Sequence, residues 1–131
     1  LEYLAVVGKP GQVAGPDNSL HSQPSSAIRN ALDRAGWTTA DLDFIEINEA
    51  FGSVAVQSLK DLDYPLEKCN LHGGAIALGH PIGASGARLA LHAAHERGPD
   101  FAAGVWIVAA RATGRLGSAG PTVVLGWSAT E

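Results

Sequence analysis

The stretch Leu42-Asp-Phe-Ile-Glu-Ile-Asn-Glu-Ala-Phe51 decides the fold, because a strand passes directly into a helix within it. Residues 42–47 alternate in part and are rich in β-branched and aromatic side chains, which is typical of a buried strand. Asn48 is a favourable residue at a helix start. The spacing predicts a helix from Asn48-Glu49 onward, whose apolar stripe consists of Phe51, Val54, Ala55, Leu59 and Leu62.

The alternation of strands and helices continues on both sides of this stretch. Apolar residues at helical spacing between Pro24 and Ala35 predict a helix that stops at Gly36. A later helix is predicted from a stripe of Ala87, Ala90, Leu91 and Ala94, and further strands at 4–8, 69–72, 105–108 and 122–125. This order describes a layered α/β domain with crossover connections.

Size and composition narrow the class of protein. The 131 residues suit one ordinary domain, and 13 acidic against 9 basic residues argue against a nucleic-acid partner. The apolar runs are shorter than the roughly 18 residues of a membrane span, and residues 1–9 lack the features of a signal peptide. A single cysteine excludes an internal disulfide framework. We therefore expect a cytoplasmic protein without a membrane partner.

A glycine-rich run, Gly73-Gly-Ala-Ile-Ala-Leu-Gly-His-Pro-Ile-Gly-Ala-Ser-Gly86, is the most informative segment. Its spacing is neither that of a dinucleotide-binding motif nor that of a lysine-containing phosphate loop. Tight packing of strand against helix and contact with a ligand both explain such glycines. Within the run, His80 precedes a predicted helix N-terminus, where a neutral imidazole is favoured and can act as a base or a donor. A purely structural histidine is the alternative.

Other polar residues admit plain structural interpretations. Asn48 with Glu49 fits a helix N-cap and first turn, although an amide at the carboxyl end of a strand also lies where open α/β sheets bind ligands. Cys69 begins a predicted buried strand, which favours a packed thiol over a nucleophile. His92 and His95 are three residues apart without a third ligand, so we expect them on a solvated face and no metal site.

In combination, Asn48-Glu-Ala-Phe51 and the glycine-rich run resemble the C-terminal domain of the thiolases, and the resemblance extends from about Val13 to about Arg97. It implies the second half of a two-half subunit, an α/β fold with a layered mixed β-sheet and helices on its faces. Residues 1–22 would then be a remnant of the preceding loop domain, and 23–131 the C-terminal domain.

The resemblance also implies an activity, the transfer of acyl groups between coenzyme A thioesters by Claisen condensation or thiolytic cleavage. His80 would activate a cysteine of the N-terminal half and donate to the thioester oxyanion, and Asn48 would hold the water that completes this oxyanion hole. The implied substrate-binding residues are Glu49, which orients the site, Ala50 and Phe51, which line the pantetheine channel, and Gly79. No permanently bound cofactor is expected, and the implied partners are acyl-CoA or CoA, the N-terminal half, and further copies in a homo-oligomer.

The end of the chain departs from this pattern. By resemblance, a strand in this part of the family closes in Cys-x-Gly and a run of glycines, and its cysteine is the base that removes the α-proton. Counting from Gly104 places Ala109 at the position of that cysteine and Arg111 at the glycine-rich turn. Residues 98–131 therefore depart from the family pattern. A shifted reading frame is our hypothesis for this tail, and a coding sequence without a Cys-x-Gly-Gly-like peptide in either other frame would refute it. We expect this chain alone to be inactive; a non-catalytic acyl-CoA or phosphopantetheine-binding module, or a partner subunit, is the alternative.

Overall fold

The computed structural model describes residues 6–13, 20–95, 107–110 and 122–128. Its strands are β1 (Val6–Val7), β2 (Gly11–Val13), β3 (Ile45–Ile47), β4 (Ile107–Ala110) and β5 (Thr122–Ser128). Its helices are α1 (Gln23–Ala35), α2 (Gly52–Leu62), α3 (Ala75–Leu78) and α4 (Ser85–His95). Short 3₁₀ turns cover Thr39–Asp41 and Leu66–Lys68.

The described strands form one mixed sheet in the order β1-β5-β4-β3, and β2 also pairs with β5. β1 and β2 run parallel to β5, whereas β4 is antiparallel to both of its neighbours. Ala109 pairs with Ile45 across β3 and β4. Helices pack on this sheet, which confirms the predicted α/β fold with a layered mixed β-sheet.

Helix α1 packs against β2 and β5. The approach is closest at Gly11, where a Cβ would collide with the carbonyl of Ala27 and lie 2.6 Å from the amide nitrogen of Ala31. Small residues on both elements therefore set the distance between helix and sheet. The predicted stop at Gly36 is confirmed, because this residue caps α1 with a left-handed φ of 71°.

The predicted stripe of α2 is confirmed except at its first position. Its buried apolar residues are Val54, Ala55, Leu59 and Leu62, which join a core that includes Ile28, Leu42, Ile45 and Ile47. Phe51 instead stays 63% exposed. Helix α2 begins only at Gly52, so the interpretation of Asn48 as its N-cap is wrong.

The strand predicted at 69–72 is wrong. Cys69 makes an isolated parallel bridge with Ile45, and Asn70 then turns the chain with a φ of 50°. Leu71 follows in the turn and is 41% exposed. Beyond this bridge the backbone no longer pairs with β3. The side chain of Asn70 pairs with β3 in its place, as described below.

The stripe predicted for α4 has the wrong phase. Its buried residues are Ser85, Leu89 and Ala93, whereas Leu91 is 59% exposed. Of the strand predicted at 105–108, residues 107 and 108 belong to β4, whereas residues 98–106 and 111–121, with Arg111, lie outside the described residues. None of the helices described is both long and apolar enough to cross a membrane.

Candidate functional site

Asn48 lies directly after the carboxyl end of β3, in the connection to α2. The amide of Ala50 donates to the carbonyl of Asn48 at 3.1 Å, which forms a tight turn. Asn48 and Glu49 are half-buried, whereas Ala50 and Phe51 are exposed. The connection therefore keeps the two polar side chains close to the sheet and presents the following two residues to solvent.

His80 lies in the connection between α3 and α4. It follows Gly79, whose φ of 85° is strained for any residue with a side chain. Nη1 of Arg88 on α4 donates to the carbonyl of Gly79 at 2.8 Å. On its other side, Nδ1 of His80 lies 2.7 Å from the hydroxyl of Ser85, at the start of α4. Two contacts with α4 thus flank the imidazole.

The structure brings Asn48 and His80 together. Nδ2 of Asn48 lies 3.3 Å from Nε2 of His80, although 31 residues separate them in the sequence. Oδ1 of Asn48 is buried and has no hydrogen-bond partner within the described part of the chain. A buried acceptor of this kind requires a donor, which an enclosed water can supply.

Glu49 joins the connection that carries Asn48 to the segment of chain that precedes His80. Its Oε1 accepts a hydrogen bond from Nδ2 of Asn70, and its Oε2 accepts one from the amide of Ile76, both at 3.0 Å. The carboxylate therefore links the end of β3 to the first turn of α3. This position supports an orienting role, which stays a prediction.

Asn70 is a positioning residue that the sequence did not reveal. Its backbone amide donates to the carbonyl of Ile45 at 2.9 Å. Its side chain accepts from the amide of Ile47 at 2.7 Å and donates to the carbonyl of Ile47 at 3.0 Å. The carboxamide thus pairs with β3 as a peptide of a neighbouring strand would. The only signal in the sequence is that asparagine tolerates a left-handed backbone.

Several large apolar side chains around these connections are exposed. Gly52 and Ile76 bring the start of α2 close to α3, since a Cβ on Gly52 would lie 3.2 Å from Cδ1 of Ile76. The exposed apolar set consists of Phe51 (63%), Ile76 (69%), Leu78 (61%) and Ile82 (84%). Large apolar side chains that stay exposed are typical of a surface that meets another molecule or chain segment.

Cys69 does not have the surroundings of a nucleophile. Burial, assisted by the carboxylates of Glu46 and Glu49, raises the pKa of its thiol from 9.0 to about 12. The reactive thiolate is therefore disfavoured at neutral pH. The structure supports the predicted packed thiol.

A second polar cluster lies between β3 and α4. His92 is half-buried, with Nδ1 3.3 Å from Oε1 of the fully buried Glu46. Its ring meets that of His72 edge to face, with centroids 5.2 Å apart. These side chains line a cavity of about 140 Å³. His92 is therefore not on a solvated face as predicted, and no group of His, Cys, Asp and Glu side chains among the described residues could hold a metal ion.

The geometry defines a layered α/β domain in which the β3–α2 connection meets the α3–α4 connection at the edge of the sheet. The sequence-family model described as "Thiolase, C-terminal domain" matches residues 1–119 of the chain. The chain therefore belongs to the thiolase family. It is 56% identical over 105 residues to "Probable acetyl-CoA acetyltransferase" of Mycolicibacterium smegmatis, covering 78% of this chain and 27% of the relative.

Two further comparisons agree. The chain is 53% identical over 94 residues to "Probable acetyl-CoA acetyltransferase" of Mycobacterium tuberculosis, covering 72% of this chain and 24% of the relative. The dimeric peroxisomal thiolase of Saccharomyces cerevisiae matches with a TM-score of 0.51 and 45% identity, over 53% of this chain and 18% of that one. The chain thus spans about a quarter of the length of the curated relatives it matches.

These comparisons confirm the resemblance to the thiolase C-terminal domain. The family match runs past residue 98, and the division into 1–22, 23–131 and a departing segment at 98–131 stays a prediction.

Proposed function

We propose that this chain supplies the C-terminal part of a thiolase active site, which transfers acyl groups between coenzyme A thioesters by Claisen condensation or thiolytic cleavage. The observation that carries the proposal is the 3.3 Å approach of Asn48 Nδ2 to His80 Nε2 at the edge of the sheet. The names of the curated relatives, acetyl-CoA acetyltransferases, support an acyl-CoA or CoA as the substrate.

His80 acts first as a base in this proposal. Its Nε2 takes the proton of a cysteine thiol supplied by the N-terminal half, and the thiolate then attacks the thioester carbonyl. As negative charge develops on the thioester oxygen, the protonated Nε2 donates to it. A positioned base of this kind contributes about 10² to 10⁴ in rate.

Asn48 holds the second donor of the oxyanion hole. Its buried Oδ1 lacks a partner among the described residues and accepts a hydrogen bond from a water, whose other hydrogen points to the thioester oxygen. Removing one such donor costs roughly 2.7 to 4 kcal/mol. Glu49, held by Asn70 and Ile76, keeps this connection in place.

The pantetheine arm of the substrate lies along the exposed connection after β3. Ala50 and Phe51 form its apolar wall, and Phe51 has 63% of its side chain available for contact. Gly79, exposed and with a left-handed φ, leaves room beside His80 for the thioester. No permanently bound cofactor takes part.

The proposed partners of the chain follow from the fact that it matches only part of a thiolase. The N-terminal half of a thiolase covers the exposed apolar set, and the assembled enzyme is a homo-oligomer, as the dimeric state of the yeast thiolase supports. The proposal includes a cytoplasmic location.

Acetoacetyl-CoA cleavage, followed at the thioester-enolate absorbance, tests the proposal. We expect no turnover by this chain alone, because Cys69 is a packed thiol. Because Ala109 stands where the family has its α-proton base, the chain with Ala109→Cys is mixed with the part of the Mycolicibacterium smegmatis relative that precedes the matched region. This mixture should produce turnover, which His80→Ala lowers by about 100-fold or more. His95→Ala, at an exposed position at the end of α4, is the matched control and should leave turnover unchanged.

Two outcomes would contradict the proposal. Turnover by the unmodified chain alone, abolished by His80→Ala, would mean that the nucleophile lies within it. Tight CoA binding by the chain alone without turnover in the mixture, followed through the fluorescence of Trp37, would favour the non-catalytic binding module.

A further inference from the structure

Ser85 is a fully buried hydroxyl in contact with the imidazole of His80. It is the first residue of α4 and is 0% exposed. Its Oγ lies 2.7 Å from Nδ1 of His80 and 3.1 Å from the carbonyl oxygen of Pro81. The backbone amide of Ser85 donates to the same carbonyl at 2.8 Å, so the hydroxyl is not needed to satisfy this end of the helix.

The number of hydrogens determines the direction of each bond. A carbonyl oxygen can only accept, and a serine hydroxyl has a single hydrogen to donate. When Oγ donates to Pro81, it can only accept from His80, so Nδ1 must carry the ring hydrogen. Nε2 is then an unprotonated acceptor and receives an N–H of Asn48, whose Nδ2 is 3.3 Å away.

The opposite tautomer, with the ring hydrogen on Nε2, does not fit this sequence of donors and acceptors. With its hydrogen on Nε2, His80 would need Oδ1 of Asn48 in the place that Nδ2 occupies. The hydroxyl of Ser85 would turn to Nδ1 and lose Pro81. The Nδ1–H tautomer satisfies all three contacts with the side chains as they are placed, and no side chain has to turn.

We propose that Ser85 is a positioning residue that holds His80 as the Nδ1–H tautomer, with the lone pair of Nε2 facing Asn48. The inference deepens the proposed function, on which its catalytic meaning rests, because the ring nitrogen that receives the proton in that function, Nε2, must itself be unprotonated. Arg88, bonded to the carbonyl of Gly79, holds the chain on the other side of the ring.

The tautomer is measurable without any substrate. Long-range ¹H–¹⁵N correlation spectra of the ¹⁵N-labelled chain at about pH 8, above the usual titration range of histidine, distinguish a protonated from an unprotonated ring nitrogen. His80→Gln assigns the resonances of this ring. We expect the unprotonated nitrogen of the wild-type chain to be Nε2.

Variants separate positioning from a purely structural role. Ser85→Ala should give a mixture of tautomers, and Ser85→Thr, which keeps the hydroxyl, should restore the Nδ1–H form. Ser58→Ala is the control. It removes another fully buried serine hydroxyl, which donates to the backbone carbonyl of His21 and not to an imidazole, and it should leave the tautomer of His80 unchanged.

A wild-type spectrum with the hydrogen on Nε2 would overturn the inference, whether or not Ser85→Ala folds. An unaltered Nδ1–H tautomer in folded Ser85→Ala would also overturn it. Neither result bears on turnover by the assembled enzyme, so failure of this inference and failure of the proposed function are distinguishable.

Discussion

The carboxylate of Glu49 occupies the space that a side chain on Gly74 would need. A Cβ built on Gly74 would collide with this carboxylate and lie 2.6 Å from its Oε1. The same carboxylate accepts hydrogen bonds from Asn70 and from the amide of Ile76. At this position the glycine serves packing, because it lets the end of β3 approach the first turn of α3.

We expect Gly74→Ala to destabilise the chain. The methyl group must displace the Glu49 carboxylate and its two hydrogen bonds, and such overpacking costs about 1 to 3 kcal/mol. Gly83→Ala is the matched control, since a Cβ there meets no atom within 4 Å and its φ is not left-handed, so a change within about 0.5 kcal/mol is expected. Urea unfolding measures both, and equal stability of the two variants would contradict the packing role of Gly74.

Asn70→Ala should lower the free energy of unfolding by more than the removal of an ordinary surface side-chain carboxamide does. It leaves the amide and carbonyl of Ile47 without their side-chain partners and releases one oxygen of Glu49. An expected cost of about 2 to 3 kcal/mol follows from the unsatisfied backbone groups. Hydrogen exchange at the amide of Ile47 should accelerate in the same variant.

Asn30→Ala is the control for this prediction. Its side chain accepts one exposed hydrogen bond, from the amide of Gln12, and alanine is favourable within α1. We expect a change of less than about 1 kcal/mol. Unchanged exchange at Ile47 in Asn70→Ala would show that the carboxamide does not replace a strand.

The helices with regular apolar spacing were predictable from the sequence. The α1 stripe with its stop at Gly36, and the α2 stripe from Val54 to Leu62, follow from helical period and left-handed capping, which are local properties. The phase of α4 was not predictable in this way, because its buried face includes the polar Ser85 while the apolar Leu91 stays exposed.

The site was predictable only through its motifs. Asn48 and His80 were selected by resemblance, and their contact at 3.3 Å depends on the turn at Asn70 and on the packing of Glu49 at Gly74. Those interactions join residues about 20 or more positions apart. Side chains that replace backbone pairing leave no periodic pattern in a sequence, so the strand predicted at 69–72 was wrong.

The exposed apolar set predicts self-association of the chain alone. Large apolar side chains without a cover favour contact between copies, and Ile82 is 84% exposed. Ile82→Ser should lower the average mass measured by light scattering. Leu66→Ser, at a residue that is 68% exposed in the 3₁₀ turn Leu66–Lys68, is the matched control and should change the mass less. A monodisperse monomer of the unmodified chain would contradict this prediction.

Burial of Cys69 predicts a loss of stability in alkali. The pKa of its thiol is raised from 9.0 to about 12, mainly by burial. Between these values the folded chain retains the proton that the unfolded chain releases. The contribution of the thiol to stability is therefore complete below about pH 9 and is lost as the pH rises towards 12, by up to about 1.4 kcal/mol per pH unit.

Comparison of the parent with Cys69→Ala isolates this effect. From about pH 8 to about pH 10.5, the free energy of unfolding should fall by up to about 2 kcal/mol more in the parent than in the variant. The pKa of Tyr64 is also raised, mainly by burial, and this burial contribution is present in both chains. Urea unfolding in reducing buffer gives the two slopes. Parallel slopes would mean that the Cys69 thiol ionises as freely in the folded chain as in the unfolded one.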